Sequence, residues 1–413
     1  MPRDTSMDSS LALLKEGYNF VGNRCKRLDT DIFATRLLMQ ETVCMQGEEA
    51  ARLFYTGKHL TRKGAIPRAA QKTLTGKGAV MIADGAQHRS RKQMLMSMMT
   101  PERIGVLGEL VAEEWGQRIP AWETKDKVLL FDEMQQILFC AACRWCGVAL
   151  EESEIVWRTF EFGMLIDGAG GVGPRHWQAR SARQSAERWL AQMVAQTRAG
   201  ELAPPQESGL HKVSFHREPE AGLLGPRQAS VVLINVIRPI VAIARFITFA
   251  ATALHQYPEN KSRIADREEG FLDCFVHEVR RMYSFFPIVA ARVGEDFEWK
   301  GYHFSKGTRV ILDLYGTCHD RRIWNQPEQF NPNRFREWDG GRFNFVPQGG
   351  GDHYSDHRCA GEWVTIELMR IAVLTLAKHL EYEVPQQDLK VDLRRMPMLT
   401  NSRFVMQRVR LRR

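Results

Sequence analysis

Hydrophobic residues run almost without interruption over residues 228–257, QASVVLINVIRPIVAIARFITFAATALHQY, so a helix there is apolar on nearly all faces. Such a helix is either a buried centrepiece or a membrane span. Arg238 and Arg245 lie inside it, and each would cost roughly 2.5–3.5 kcal/mol near a bilayer centre, which favours the buried reading. Pro239 cannot make the helical bond to residue 235 and clashes with that carbonyl, so a bend is expected immediately after Arg238. That bend aims the guanidinium inward, where an unpaired charge is expensive. No acidic residue lies within a turn of Arg238, so its partner is either a ligand carboxylate or a distant Asp or Glu.

Three further stretches carry pattern and chemistry together. After an Asp84-Gly85 turn, a helix places His88 and Lys92 on one face at i, i+4, which suits a carboxylate-bearing ligand. Residues 271–293 hold Glu278 and Arg281 at i, i+3, and the alternating run 295–316 predicts a hairpin near Lys300-Gly301. Finally, FVPQGGGDHYSDHRCAGEWVTIELMRIAVLTLAKHLEY, residues 345–382, leads three glycines through a polar loop into an apolar-periodic helix. Cys359 sits just ahead of that helix start, where unpaired N–H groups favour a thiolate. It is a nucleophile or a metal ligand. The Gly-rich turn favours the ligand, because it lets backbone approach a large flat group and donate to the bound sulfur.

Composition changes this picture little. The 413 residues are 44% hydrophobic and 26% charged with no biased tract, ordinary for a soluble globular protein. The net charge of +8 attracts anions, but Lys and Arg are dispersed and no nucleic-acid motif is present, so anionic small molecules are expected and nucleic acid is not. No secretory signal is visible, and the eight cysteines show no secreted disulfide spacing, which fits a reducing compartment.

Two motifs point elsewhere and are read as structural. Cys140-x-x-Cys143-x-x-Cys146 has metal-site spacing but lies in a helical pattern without a nearby fourth cysteine. Gly168-Ala-Gly170-Gly-Val-Gly173 matches the dinucleotide fingerprint, yet a helical segment precedes it and Pro174 follows, so a loop between helices is expected.

Taken together, Phe345, Gly351, Arg358, Cys359 and Gly361, the Glu278-x-x-Arg281 pair and Asn331-Pro332-Asn333-Arg334-Phe335 resemble the motifs of the cytochrome P450 superfamily, with extra residues Asp352 to Asp356 in the cysteine loop. The resemblance covers residues from about 60 to the C-terminus. It implies a mainly α, single haem-thiolate domain over residues 1–413, with a long central helix over haem b and small β-sheets. Cys359 would be the axial iron ligand, Glu278, Arg281 and Arg334 a buried structural network, and His88, Lys92 and Arg62 the partners of haem propionates. Membrane-bound members begin with an apolar anchor, which this chain lacks, so a soluble cytoplasmic protein is expected.

Arg238-Pro239 makes the chain most similar to one branch, the bacterial fatty-acid peroxygenases, since ordinary members carry an acid–alcohol pair at this bend for proton delivery. The branch implies hydrogen peroxide as co-substrate and no obligatory redox partner. A fatty acid would pair its carboxylate with Arg238, serve as its own general acid–base, and be hydroxylated at Cα or Cβ. Arg238 and Pro239 are then the catalytic pair, and Leu74, Met81, Phe285, Phe286 and Ile288 match pocket-lining positions. The position of Met81 carries glutamine in relatives, or histidine in those that decarboxylate fatty acids to terminal alkenes. A thioether exchanges no proton, so hydroxylation with alkene as a minor product is expected. The alternatives are a reductase-dependent monooxygenase and an enzyme that is mainly a decarboxylase.

Overall fold

The computed structural model describes residues 1–168, 173–218 and 222–412. Helices dominate, arranged around the apolar run identified above. Its two parts, Pro226–Ala242 and Ala244–Gln256, pack against the helices Leu130–Cys146, Pro174–Ala199 and Glu362–Leu374, and every residue from 240 to 254 is buried. Among the described residues this is the one helical stretch long and apolar enough to cross a membrane, but 83% of its most apolar window lies inside the protein.

The helical interruption falls at Ile243, one turn beyond the position expected from Pro239. Proline is accommodated within Pro226–Ala242, and the chain instead tightens where the Ile243 N–H donates to the Ile240 carbonyl at 3.1 Å. Arg245, in the second part, is buried and forms an ion pair with Asp167.

The largest sheet runs in the order Ile32–Leu37, Gln40–Met45, Arg309–Asp313, Ile288–Val293, Leu60–Thr61. Only Gln40–Met45 and Arg309–Asp313 pair in parallel. The sheet thus joins a hairpin from the first fifty residues to strands from the second half. Phe297–Trp299 and Tyr302–Phe304 form the expected hairpin, with Lys300 and Gly301 at φ of 49° and 73°. Positive φ at both central residues matches the right-handed twist of the flanking strands. This hairpin is a sheet of its own, not an extension of the large one.

The two misleading motifs resolve as local structure. Cys140, Cys143 and Cys146 are buried in Leu130–Cys146, and burial pushes all three thiols up, away from the thiolate a metal needs. No cluster of metal-ligating side chains occurs among the described residues. Of the glycine-rich run, residues 169–172 lie outside the described residues; Gly168 and Gly173 flank the helices Ile155–Asp167 and Pro174–Ala199.

Glu278 and Arg281, at the centre of the expected network, are fully buried, and Arg334 is partly buried. Arg281 Nε and Nη2 donate to the two Glu278 oxygens at 2.7 and 2.8 Å, Arg334 Nε reaches the same carboxylate at 3.2 Å, and the Asn331 N–H adds a bond at 2.8 Å. Arg281 also donates to the Cys318 and Pro327 carbonyls, so the Glu278–Arg281 pair ties its helix to the end of the helix Leu314–Cys318 and to the segment from Pro327 to Arg334.

Asp313 ends a strand and caps the helix Leu314–Cys318, accepting from the Gly316 N–H at 2.7 Å, while its Oδ2 has no partner. Burial pushes its carboxyl up from 3.8 to about 7. The folded state therefore holds this proton more tightly than the unfolded chain, and the stability this contributes is full below about pH 3.8 and lost as pH rises through about 7. Asp313→Asn keeps a capping oxygen and removes that slope. Melting curves from pH 5 to 8 are expected to show the wild type losing stability relative to the variant; parallel curves would contradict a raised Asp313.

Candidate functional site

The cysteine loop is built by backbone bonds that glycine permits. Gly349 and Gly351 have φ of 97° and 87°, the Gly351 N–H donates to the Arg342 carbonyl at 3.1 Å, and a Cβ on Gly349 would stand 2.9 Å from Tyr55 Oη. The Cys359 N–H donates to the Gln348 carbonyl at 3.0 Å, and Gly361 is the N-cap of the helix Glu362–Leu374. The extra residues close on themselves: Asp352 accepts from the Tyr354 and Ser355 N–H groups at 2.9 and 3.0 Å, and Asp356 accepts from the Asp352 N–H at 2.8 Å. They leave the cysteine turn undisturbed.

Burial, then the charge of Glu362, pushes the Cys359 thiol up, against the pull of the Gly361 N–H, Lys92 and Gln348. The thiol therefore needs a cation to hold it as thiolate. Glu362 itself is held well below the usual carboxylate range, against its burial, by Arg280, His353 and Arg358. Arg280 is ion-paired with it, Arg358 Nε donates at 2.7 Å, and His353 Nε2 lies 2.9 Å away. Arg358 Nη1 also donates to the Gly351 carbonyl at 3.2 Å, tying the glycine end of the loop to the cysteine end.

Between Cys359 and the central helix lies a cavity of about 300 Å³. Cys359, Arg238, Pro239, Leu74, Met81, Phe285, Phe286, His88 and Lys92 all line it. His88 and Lys92 are both buried, and His88 stacks on His357 with ring centroids 3.9 Å apart. Burial and then the neighbouring His357 and Lys92 pull His88 down to about 4, so it is neutral at physiological pH.

Two residues expected here lie elsewhere. Arg62 is buried against Phe54, 4.0 Å from that ring, and donates to the Phe54 and Ala290 carbonyls. Its guanidinium braces backbone outside the cavity wall. Ile288 points to the other face of its strand and packs against the small cluster containing Phe33 and Ile311, while its neighbour Val289 lines the cavity. Strand alternation accounts for the exchange. Phe285, just before that strand, is held by Tyr18, whose hydroxyl donates to its carbonyl.

Arg238 is buried, and among the described residues no carboxylate pairs with it. Its Nη2 donates to Asn235 Oδ1 at 3.1 Å and its Nε has no partner. Burial, then Arg183, pulls it down to about 9, so it remains charged at neutral pH. Asn235 sits three residues earlier on the same face. It is the one polar break in an apolar run at helical spacing from Arg238, a signal present in the sequence.

Known structures share this architecture along the whole chain. A variant of cytochrome P450SP alpha (CYP152B1) is 42% identical with a TM-score of 0.96, covering 98% of this chain and 100% of its own. Cytochrome P450EX alpha (CYP152N1), solved with myristic acid, is 42% identical at a TM-score of 0.97, covering 100% and 99%. Ligand-free cytochrome P450 OleT is 34% identical at a TM-score of 0.97, again covering 100% and 99%. The chain belongs to the cytochrome P450 family, in the branch of these fatty-acid peroxygenases. The family profile described as Cytochrome P450 matches residues 265–407. Ent-cassadiene hydroxylase of Oryza sativa subsp. japonica is 27% identical over 170 residues, 39% of this chain and 32% of its own length. The match therefore spans about a third of that curated relative.

This cytochrome P450 has the donor set that haem requires. Cys359 offers sulfur, the Gly349 to Gly351 turn leaves no side chain in the way, the walls are mostly apolar, and His88, Lys92 and Arg358 stand on the same cavity. Glu362→Gln removes the only negative charge shared by Arg280, His353 and Arg358 and is expected to destabilise this cytochrome P450 by about 3–5 kcal/mol. Chemical denaturation together with the haem content of the purified protein measures this; an unchanged midpoint with full haem would show that the loop does not depend on Glu362.

Proposed function

We propose that this enzyme uses hydrogen peroxide to hydroxylate long-chain fatty acids at Cα and Cβ. The observation that carries the reading is Arg238: a buried guanidinium on an apolar cavity, without a protein carboxylate among the described residues, and with an unpartnered Nε. A fatty-acid carboxylate supplies the missing charge, and the apolar walls take its chain.

Bound haem, ligated by Cys359 and with propionates met by His88 and Lys92, supplies peroxide activation and C–H oxidation. The protein's part is placement. Arg238 holds the carboxylate, Asn235 fixes the guanidinium at 3.1 Å, and Pro239 occupies the next position on the wall, where no side chain acid or alcohol delivers protons. The substrate carboxylate, held by Arg238, would therefore be the group placed to accept and return a proton of the peroxide. With the head group pinned, Cα and Cβ are the carbons in reach. Leu74, Met81, Phe285 and Phe286 confine the chain, and Met81 brings no proton donor to the β-carbon. No redox partner is required. The eight cysteines, all free, fit the cytoplasm.

Purified protein, tetradecanoic acid and hydrogen peroxide without a reductase are expected to give 2- and 3-hydroxy acids by mass analysis, with alkene as a minor product. Turnover only with reduced cofactor and redox proteins would overturn the reading. Arg238→Ala is expected to lose turnover at least about 100-fold, roughly 2.7 kcal/mol, while keeping haem and its thiolate spectrum. Met81→His is expected to raise the alkene share; an unchanged product ratio would remove Met81 as a determinant.

A further inference from the structure

A second cavity, of about 590 Å³, lies beside the N-terminal part of the central helix, lined by Arg227, Gln228 and Val231, and is strongly cationic. Lys72, Lys77, Arg180, Arg183 and Arg227 line it, against one acid, Glu187. That acid is already shared, accepting from Arg183 Nε at 2.8 Å and Arg227 Nε at 3.1 Å. Lys72, Lys77 and Arg180 are exposed and have no carboxylate partner among the described residues. Ordinary surface cations are dispersed among acids; five around one concavity with a single acid make a site for an anion.

The cavity is wired to the catalytic one. Arg183 is buried, donates to the Leu74 and Thr75 carbonyls at 3.2 and 3.3 Å, and presses on Gly76, where a Cβ would meet its Nη2 at 2.1 Å. The Thr75 carbonyl also accepts from Asn235 Nδ2 at 2.8 Å, and Asn235 Oδ1 accepts from Arg238 at 3.1 Å. Buried Arg183 and buried Arg238 are therefore joined through the Thr75 carbonyl and Asn235, and Leu74, whose carbonyl accepts from Arg183, lines the inner cavity. One helical turn from Arg180, Trp177 is 69% exposed and offers an apolar contact beside the charges.

We propose that this cationic vestibule takes up the carboxylate of the incoming long-chain acid before the carboxylate reaches Arg238. The proposal rests on the fatty-acid reading of the inner site. An inorganic anion would satisfy the outer charges equally, but only an amphiphile also uses Trp177, Leu74 and the apolar cavity beyond. The vestibule concentrates substrate and does no chemistry.

Lys72→Glu, Lys77→Glu and Arg180→Glu, singly and combined, alter exposed side chains. The wild type is expected to show a KM for tetradecanoate that rises with salt, and the combined variant to raise KM roughly tenfold with kcat unchanged and to lose that salt dependence. Direct binding of labelled tetradecanoate by equilibrium dialysis is expected to weaken in parallel, and inorganic phosphate to compete only weakly. Wild-type KM, salt response and binding in the combined variant would overturn the vestibule, as would phosphate competing as well as the fatty acid. Should the wild type not oxidise tetradecanoate with peroxide, the inner-site reading fails, and dialysis alone still decides whether the outer cations hold a fatty-acid carboxylate.

Discussion

A guanidinium without a counter-charge, held inside an apolar cavity, is the constraint around which this molecule is arranged. Arg238 and Arg245 lie on the two parts of one buried stretch, yet only Arg245 has a protein carboxylate, Asp167. Burial lowers Arg238 to about 9 but leaves it cationic at neutral pH, and Asn235 orients it without neutralising it. An interior charge of this kind is costly in the free protein and is relieved by a ligand that brings the opposite charge. Substrate binding and completion of the interior are then the same event.

The cysteine side follows the opposite logic. Glu362 is enclosed by Arg280, Arg358 and His353, and Glu278 by Arg281 and Arg334, so each buried carboxylate is saturated. These closed networks make a stiff floor for a thiol whose own surroundings raise it. Rigidity on one wall and an open charge on the other divide the work between holding a cofactor and waiting for a substrate.

Much of this was legible in the chain itself. The apolar run with its two arginines announced the central helix, and the Gly-rich loop before Cys359 announced the ligand turn. Motif residues that depend on local geometry, such as His88 and Lys92 at i, i+4, arrived on one wall as the period requires. What failed to read through depended on tertiary placement. Arg62 satisfies backbone carbonyls behind the wall, and Ile288 against Val289 is decided by which face of one strand meets the cavity. The interruption at Ile243 shows that packing around a buried helix moves a proline's distortion along the chain. The outer cations come from three separated segments, and no local pattern gathers them.

The apolar wall has an effect after the reaction as well as before it. On the proposed function, a hydroxy acid keeps the carboxylate of its parent, so Arg238 would hold product and substrate alike. The difference would lie in the new hydroxyl, because Met81, Phe285 and Phe286 on the cavity wall offer no hydrogen-bond acceptor from their side chains beyond a weak thioether. An unpaired buried hydroxyl costs about 1–3 kcal/mol. On the proposed function, the surface that confines the chain before oxidation would favour release of the product once oxygen is in place.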